Sequence, residues 1–353
     1  MTAYPEIIFE RRGAAGVVTL NRPHALNAVT HAMVRGLATK LAEWAKDPAV
    51  NRVIVTAAGE RAFSAGGDIR ALYDLGRGGR QDRALQFWRE EYALNTLIKR
   101  YPKPYVALID GIVMGGGVGI SVHGSHRVAG DRFVFAMPEV GIGFFPDVGA
   151  TWFLPRMPGE TGTYCALTGE RLKATDAVAT GIATHHVPSA RWRELTEALT
   201  GTVPVDAILS AYAEPLRPGS LAARRTAIDR LFLGYRLEDI LRGLDHEAET
   251  RGADAGFAGA TAALIRAKSP VSLKIALAQM RRGKHWTFND CMRAEFRIVS
   301  RIVYRHDFYE GVRAVIIDKD QRPVWRPAVL AEVSDGDVER HFDPLPQGEI
   351  DLP

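Results

Sequence analysis

The alternation of apolar and polar positions changes period along the first half of the chain. Residues 7–10 and 16–20 carry the β-rich pattern of two strands, and Arg12-Gly13-Ala14-Ala15 between them predicts a hairpin. From residue 30 to 46 the period lengthens. Met33, Leu37, Leu41 and Trp44 fall on one helical face, and Asp47-Pro48 ends the helix. Residues 53–56 read as a buried β-branched strand and 84–100 as a long helix. Residues 105–109 form an apolar strand, 120–122 look like a helix start, and 133–136 form a further short strand. Strands alternating with helices predict crossover units and an α/β core.

Beyond Pro188 the pattern shifts. Pro, Gly and Ala punctuate helical stretches at 222–234, 237–244, 271–282 and 291–306, with no regular strand pattern. Three parts are expected: an α/β core over residues 1–188, a helical insertion over 189–268, and C-terminal helices over 269–353 with a loose tail after Pro323.

Composition narrows the class. The chain has 353 residues, 46% hydrophobic and 24% charged, the balance of a globular protein with a full core. The formal net charge is +4, with no basic tail, so no nucleic-acid partner is expected. Arg281-Arg282-Gly283-Lys284 is a local basic spot, either a solvated helix end or a contact for an anionic ligand. The two cysteines allow no disulfide framework and fit a reducing compartment. No run approaches the roughly 18 apolar residues of a membrane span. Residues 1–6 show neither an apolar core nor an Arg-rich leader, so a cytoplasmic protein without membrane association is expected.

Candidate chemistry gathers in residues 105–156. The cluster Gly115-Gly116-Gly117-Val118-Gly119 fits neither G-x-G-x-x-G nor a P-loop, and Gly119-Ile120-Ser121-Val122-His123 lacks the last glycine of a nucleophile elbow. Two readings stand. One is a tight strand-to-helix turn. The other is an oxyanion site, in which glycines let backbone N–H groups approach a ligand oxygen. Ala65-Gly66-Gly67-Asp68 is a second glycine turn that could supply another donor, with Asp68 read as a helix cap. Glu139 lies among Phe135, Met137, Val140 and Ile142, and Asp147 follows Phe144-Phe145-Pro146. Apolar surroundings raise a carboxyl pKa and suit it to base or nucleophile work; the alternative is an ordinary loop acid. Glu91 adjoins Glu90 on the long helix, and one of such a pair usually faces solvent. No His, Cys or carboxylate spacing completes a metal set.

Together these motifs resemble the enoyl-CoA hydratase/isomerase (crotonase) superfamily, and within it the 3-hydroxyisobutyryl-CoA hydrolase branch. The resemblance rests on Leu20-Asn21-Arg22-Pro23-His24-Ala25-Leu26-Asn27-Ala28, Phe63-Ser64-Ala65-Gly66-Gly67-Asp68, Met114-Gly115-Gly116-Gly117 and Met137-Pro138-Glu139. Phe145-Pro146-Asp147-Val148-Gly149 and Glu310-Gly311-Val312-Arg313-Ala314 are the stretches more specific to the hydrolase branch. The resemblance implies a spiral of ββα units followed by a helical region. It implies that Gly67 and Gly116 present N–H groups to a thioester oxygen, that Glu139 and Asp147 are catalytic carboxylates, and that Glu91 binds substrate. It also implies that Ala25, Leu26 and Ala65 help to hold the CoA moiety. No cofactor is expected, CoA entering as part of the acyl-CoA substrate. A homo-oligomer, trimer-based, is expected as the assembly.

One departure bears on the reaction. Hydratases of this superfamily carry a second glutamate where this chain has Gly119. Adding water across C=C needs an acid and a base together, so the resemblance implies thioester hydrolysis of a short β-hydroxyacyl-CoA, as in valine degradation. The alternatives are a crotonase-type isomerase or hydratase, and a non-catalytic acyl-CoA-binding protein.

Overall fold

A computed structural model describes residues 5–250 and 252–353; residues 1–4, part of the stretch read for a leader, lie outside the described residues. The hairpin forms as expected, β1 (Ile7–Arg12) antiparallel to β2 (Ala15–Leu20). Helix α1 (His31–Lys46) follows, its first turn capped by the Thr30 hydroxyl, which accepts from Met33 N–H.

A repeating unit then begins. In each repeat two strands diverge, the first joining a large sheet and the second a small one. The first repeat comprises β3 (Arg52–Ala57), β4 (Ala62–Ser64), α2 (Ile69–Arg77) and α3 (Gln81–Lys99). The second comprises β5 (Tyr105–Ile109), β6 (Ile112–Met114) and α4 (Gly116–Gly119), and the third contributes β7 (His126–Ala129) and β8 (Val134–Ala136). The helical turn expected at 120–122 therefore lies four residues earlier, directly at the glycines. Helices α5 (Ala150–Phe153) and α6 (Thr161–Thr168), strand β9 (Leu172–Lys173), helix α7 (Ala174–Ala179) and strand β10 (His185–His186) complete this half.

The large sheet runs β1-β2-β3-β5-β7-β10, parallel from β2 onward, and the small sheet runs β4-β6-β8-β9. Strand β5 is apolar throughout because both of its faces are covered. Tyr105, Ala107 and Ile109 face the main core, whereas Val106 and Leu108 face the other way. That second face is roofed by α8 (Trp192–Thr200) and α9 (Val205–Tyr212), through Leu195, Leu199, Ile208 and Leu209.

Helices α10 (Ser220–Leu231) and α12 (Ala255–Arg266) pack on α6, and α11 (Leu237–Glu249) packs against α12. Helices α13 (Pro270–Gly283) and α14 (Phe288–Ile302) cross back over α3, α5 and α6, and α15 (His306–Val312) packs on α2. A π-helical turn (Arg313–Ile317) ends α15, and α16 (Asp335–Glu339) lies in the last segment. The expectation of a loose tail after Pro323 is corrected: Trp325, Val333, Phe342 and Ile350 are buried, and the Trp325 indole donates to Ala267 O at 3.1 Å. The isolated aromatic and aliphatic positions of that tail follow no period, which is why its anchoring escapes pattern reading.

Candidate active site

Three parallel strands of the small sheet, β4, β6 and β8, end side by side. Each is followed at its carboxyl end by one of the expected segments: Ala65-Gly66-Gly67, Gly115-Gly116 and Met137-Pro138-Glu139. The loop carrying Ala25 and Leu26 braces the first of these. Ala65 N–H donates to Leu26 O at 2.9 Å, and Val29 N–H to Gly66 O at 2.8 Å. Ala65 lines the resulting cavity of about 660 Å³; Ala25 and Leu26 do not. Asp68 is a cap, as its pattern suggests: its carboxylate accepts from Ala71 N–H and pairs with Arg22 at 3.1 Å.

Gly67 and Gly116 face the same space. A Cβ on Gly116 would sit 3.0 Å from Gly67 N and 2.6 Å from Glu91 Oε1, so only glycine leaves this space open. Gly115 takes φ +46° and ψ −126°, a conformation glycine adopts without steric cost, and it turns the chain into α4. Among the described residues, neither the Gly67 nor the Gly116 N–H has an acceptor. Two backbone donors beside one cavity are an arrangement able to receive an oxyanion.

Glu91, Glu139 and Asp147 line this cavity together and are all buried. Glu90, the neighbour of Glu91, faces outward and pairs with Arg35 and His31. Glu91 Oε1 and Glu139 Oε2 have no partner among the described residues. Trp88 and Phe144, stacked at 5.6 Å, form part of the apolar wall. Burial, reinforced by the charge of Asp147, pushes the Glu91 and Glu139 carboxyls well above the usual range. Asp147 is lifted to about 7, burial outweighing the opposing hydrogen bond from Tyr92 OH at 2.8 Å.

Two groups that sequence reasoning missed join them. Tyr92 stands next to Glu91 on α3, and its hydroxyl donates to Asp147 Oδ2. Glu295, on α14, is fully buried and is raised to about 8 by burial and by Asp147. Its position carried a signal. Cys291, Met292, Glu295, Ile298, Val299 and Ile302 share the buried face of α14, and a lone acid in an apolar stripe needs a partner.

Other candidates resolve into structural roles. The Ser121 hydroxyl donates back to Gly117 O at 2.8 Å, and His123 Nε2 meets Val148 O at 2.7 Å, burial holding that imidazole down at about 3. Arg281 pairs with Glu160 and Arg282 with Glu339. Among the described residues no group of three His, Cys, Asp or Glu side chains is placed to hold a metal ion, and no helix is long and apolar enough to cross a membrane. At Gly119, a Cβ would lie 2.8 Å from both Asn95 Nδ2 and Val148 Cβ. The position is filled by its neighbours, not merely lacking a side chain.

Comparison with known proteins agrees with this architecture. The family model for enoyl-CoA hydratase/isomerase matches residues 15–342. The chain is 44% identical to the mitochondrial 3-hydroxyisobutyryl-CoA hydrolase of Danio rerio, over 98% of this chain and 92% of the relative. It is 42% identical to the human protein of that name, over 99% and 91%. Among solved structures, a carnitinyl-CoA dehydratase from Mycobacterium thermoresistibile superposes with a TM-score of 0.90 at 42% identity, covering 97% of this chain and 98% of that one. An enoyl-CoA hydratase from Rhodobacter sphaeroides 2.4.1 does so with a TM-score of 0.91 at 37% identity, covering 98% and 100%. One expectation falls here. A cytoplasmic location was read from residues 1–6, but these hydrolase relatives are named mitochondrial proteins. The two diverging sheets, the glycine turns at their strand ends and the family match over most of its length establish that the chain belongs to the enoyl-CoA hydratase/isomerase family.

Proposed function

We propose that this chain hydrolyses 3-hydroxyisobutyryl-CoA to 3-hydroxyisobutyrate and CoA, a step of valine degradation. The observation that carries the reading is the pairing of free Gly67 and Gly116 N–H groups with an unpartnered Glu139 oxygen in one cavity, while position 119 is sealed. A second glutamate for hydration has no room there.

The thioester oxygen sits between the Gly67 and Gly116 N–H groups, which stabilise the tetrahedral oxyanion. One such donor is worth about 10²–10³ in turnover. Glu139 either attacks the carbonyl carbon itself, giving a mixed anhydride that a water then cleaves to the free acid and the Glu139 carboxylate, or deprotonates a water that attacks the carbonyl carbon. The new C–O bond forms, the C–S bond breaks, and its electron pair leaves on sulfur. A thiol pKa of about 8.5 lets the thiolate depart with little assistance. Asp147, held by Tyr92, directs the water or the substrate hydroxyl, and Glu91 binds that hydroxyl. Ala65 borders the thioester, and Ala25 and Leu26 support the turn behind it. The reaction as written needs no cofactor, because CoA enters with the substrate. Family membership also supports a homo-oligomeric, trimer-based assembly, which sedimentation tests.

A thiol-trapping assay with 3-hydroxyisobutyryl-CoA should show CoA release, with crotonyl-CoA left unhydrated. Hydration of crotonyl-CoA without release of CoA from the hydroxyacyl thioester would overturn the reading. A single turnover in ¹⁸O water bears on the role of Glu139: label in its side chain marks direct attack followed by water at the Glu139 carboxyl carbon, and hydroxylamine trapping of a Glu139 anhydride during turnover covers direct attack with water entering at the acyl carbon.

A further inference from the structure

Asp147 sits in a loop that does not hold itself. Val148 and Gly149, the two residues after it, both take left-handed backbone conformations, at φ +52° and +89°. A β-branched residue rarely adopts this region, so Val148 must be held there by its surroundings. Glycine is required next to it, because a Cβ on Gly149 would lie 2.6 Å from the His123 ring.

The restraint comes from distant parts of the chain. Glu295 Oε2 accepts from Gly149 N–H at 2.7 Å, and Oε1 from Thr151 N–H at 2.9 Å. Gln279 Nε2 donates to Pro146 O at 2.9 Å and to Thr151 Oγ1 at 2.7 Å. His123 holds Val148 O, and Tyr92 holds the Asp147 carboxylate. Of these groups only Glu295 binds two backbone N–H groups, one within the left-handed pair at Gly149 and one beyond it at Thr151. A carboxylate is the one side-chain group offering two acceptors at this reach. A glutamine offers one, and turns its NH₂ toward a backbone N–H. An aspartate is one methylene short. A fully buried acid is a costly choice for packing alone.

We propose that Glu295 is a positioning residue: it sets the left-handed Val148-Gly149 turn and thereby aims Asp147 at the cavity, without itself touching substrate. This deepens the hydrolase reading and rests on it for the role of Asp147.

The test compares wild type, Glu295→Gln, Asp147→Ala and the double variant by CoA release from 3-hydroxyisobutyryl-CoA. Glu295→Gln should lower kcat by about 10²-fold with KM within about threefold, as expected for a misaimed group rather than a lost binding contact. In the Asp147→Ala background the same change should cost less than about twofold, because Glu295 acts through Asp147. A folded Glu295→Gln enzyme with near wild-type kcat, or an equal loss in both backgrounds, would refute the proposal. A crystal structure of Glu295→Gln gives a readout independent of turnover: Val148 should leave the left-handed region and Asp147 should withdraw from Tyr92. An unchanged loop refutes the proposal even if wild type releases no CoA, a result that would instead count against the hydrolase reading. Where Glu295→Gln does not fold, Glu295→Asp, one methylene short of the Gly149 and Thr151 N–H groups, should release the same loop and lower kcat; full activity there refutes the proposal.

Discussion

At the scale of single residues, the site works through what surrounds each acid. Asp147 is lifted to about 7 by burial, and the Tyr92 hydroxyl pulls in the other direction by favouring the ionised form. Removing that hydroxyl therefore raises the Asp147 pKa further. In Tyr92→Phe the acid limb of the kcat/KM profile should move to higher pH, with activity at pH 6 falling more than activity at pH 9; an unmoved limb would detach Asp147 from the rate. Legibility at this scale followed side-chain chemistry. Glu139 and Asp147 were visible because each acid stands among apolar neighbours in sequence. Glu91 needed the resemblance, since Glu90 beside it is chemically identical and only the helix's orientation sends one inward. Tyr92 and Glu295 escaped because their partners lie 55 and 146 positions away, distances that no local pattern spans.

At the scale of elements, the ββα repeat explains why three unrelated-looking loops converge. The strands were legible by β-branched runs and the helices by their 3.6-residue period, as at α1, where Met33, Leu37 and Leu41 are buried. Which strand joins which sheet was not legible, because both sheets bury their strands on similar residues. The last segment departs from the expected loose tail for a related reason: its anchors are scattered. Deleting residues 324–353 should remove the buried side chains of Trp325, Phe342, Leu345 and Ile350 from the core, together with the Arg326 N–H bond to Asp307 at 2.7 Å. Several large side chains at about 1.5–3 kcal/mol each rival the stability of a whole domain. The truncated chain should be insoluble or lack a cooperative thermal transition, whereas a loose tail would be dispensable.

At the scale of the whole molecule, the buried acids leave a mark on stability. Asp147 and Glu295 ionise at about 7 and about 8 in the folded chain, above their ordinary values of 3.8 and 4.5. Over that window the folded state binds more protons than the unfolded state, so unfolding releases protons. The stabilisation from these two groups is complete below their unfolded values and is lost as pH rises through 7 and 8. Wild type should melt at a lower temperature at pH 8 than at pH 5, and Asp147→Asn/Glu295→Gln should flatten that dependence. A variant with the wild-type slope would place the effect elsewhere.

The clamp on the Asp147 loop also has a consequence for biosynthesis. Gly149 emerges from the ribosome 146 residues before the carboxylate that holds it. At roughly 5–20 residues per second, Gly149 precedes Glu295 by about 7–30 s, and the glycine turns and Glu139 precede it by longer. During that interval a nascent chain has the parts of an oxyanion site but no fixed Asp147. A message broken or stopped between codons 148 and 295 therefore yields a chain that carries the glycine turns, Glu139 and Asp147 but never the carboxylate that clamps the Asp147 loop.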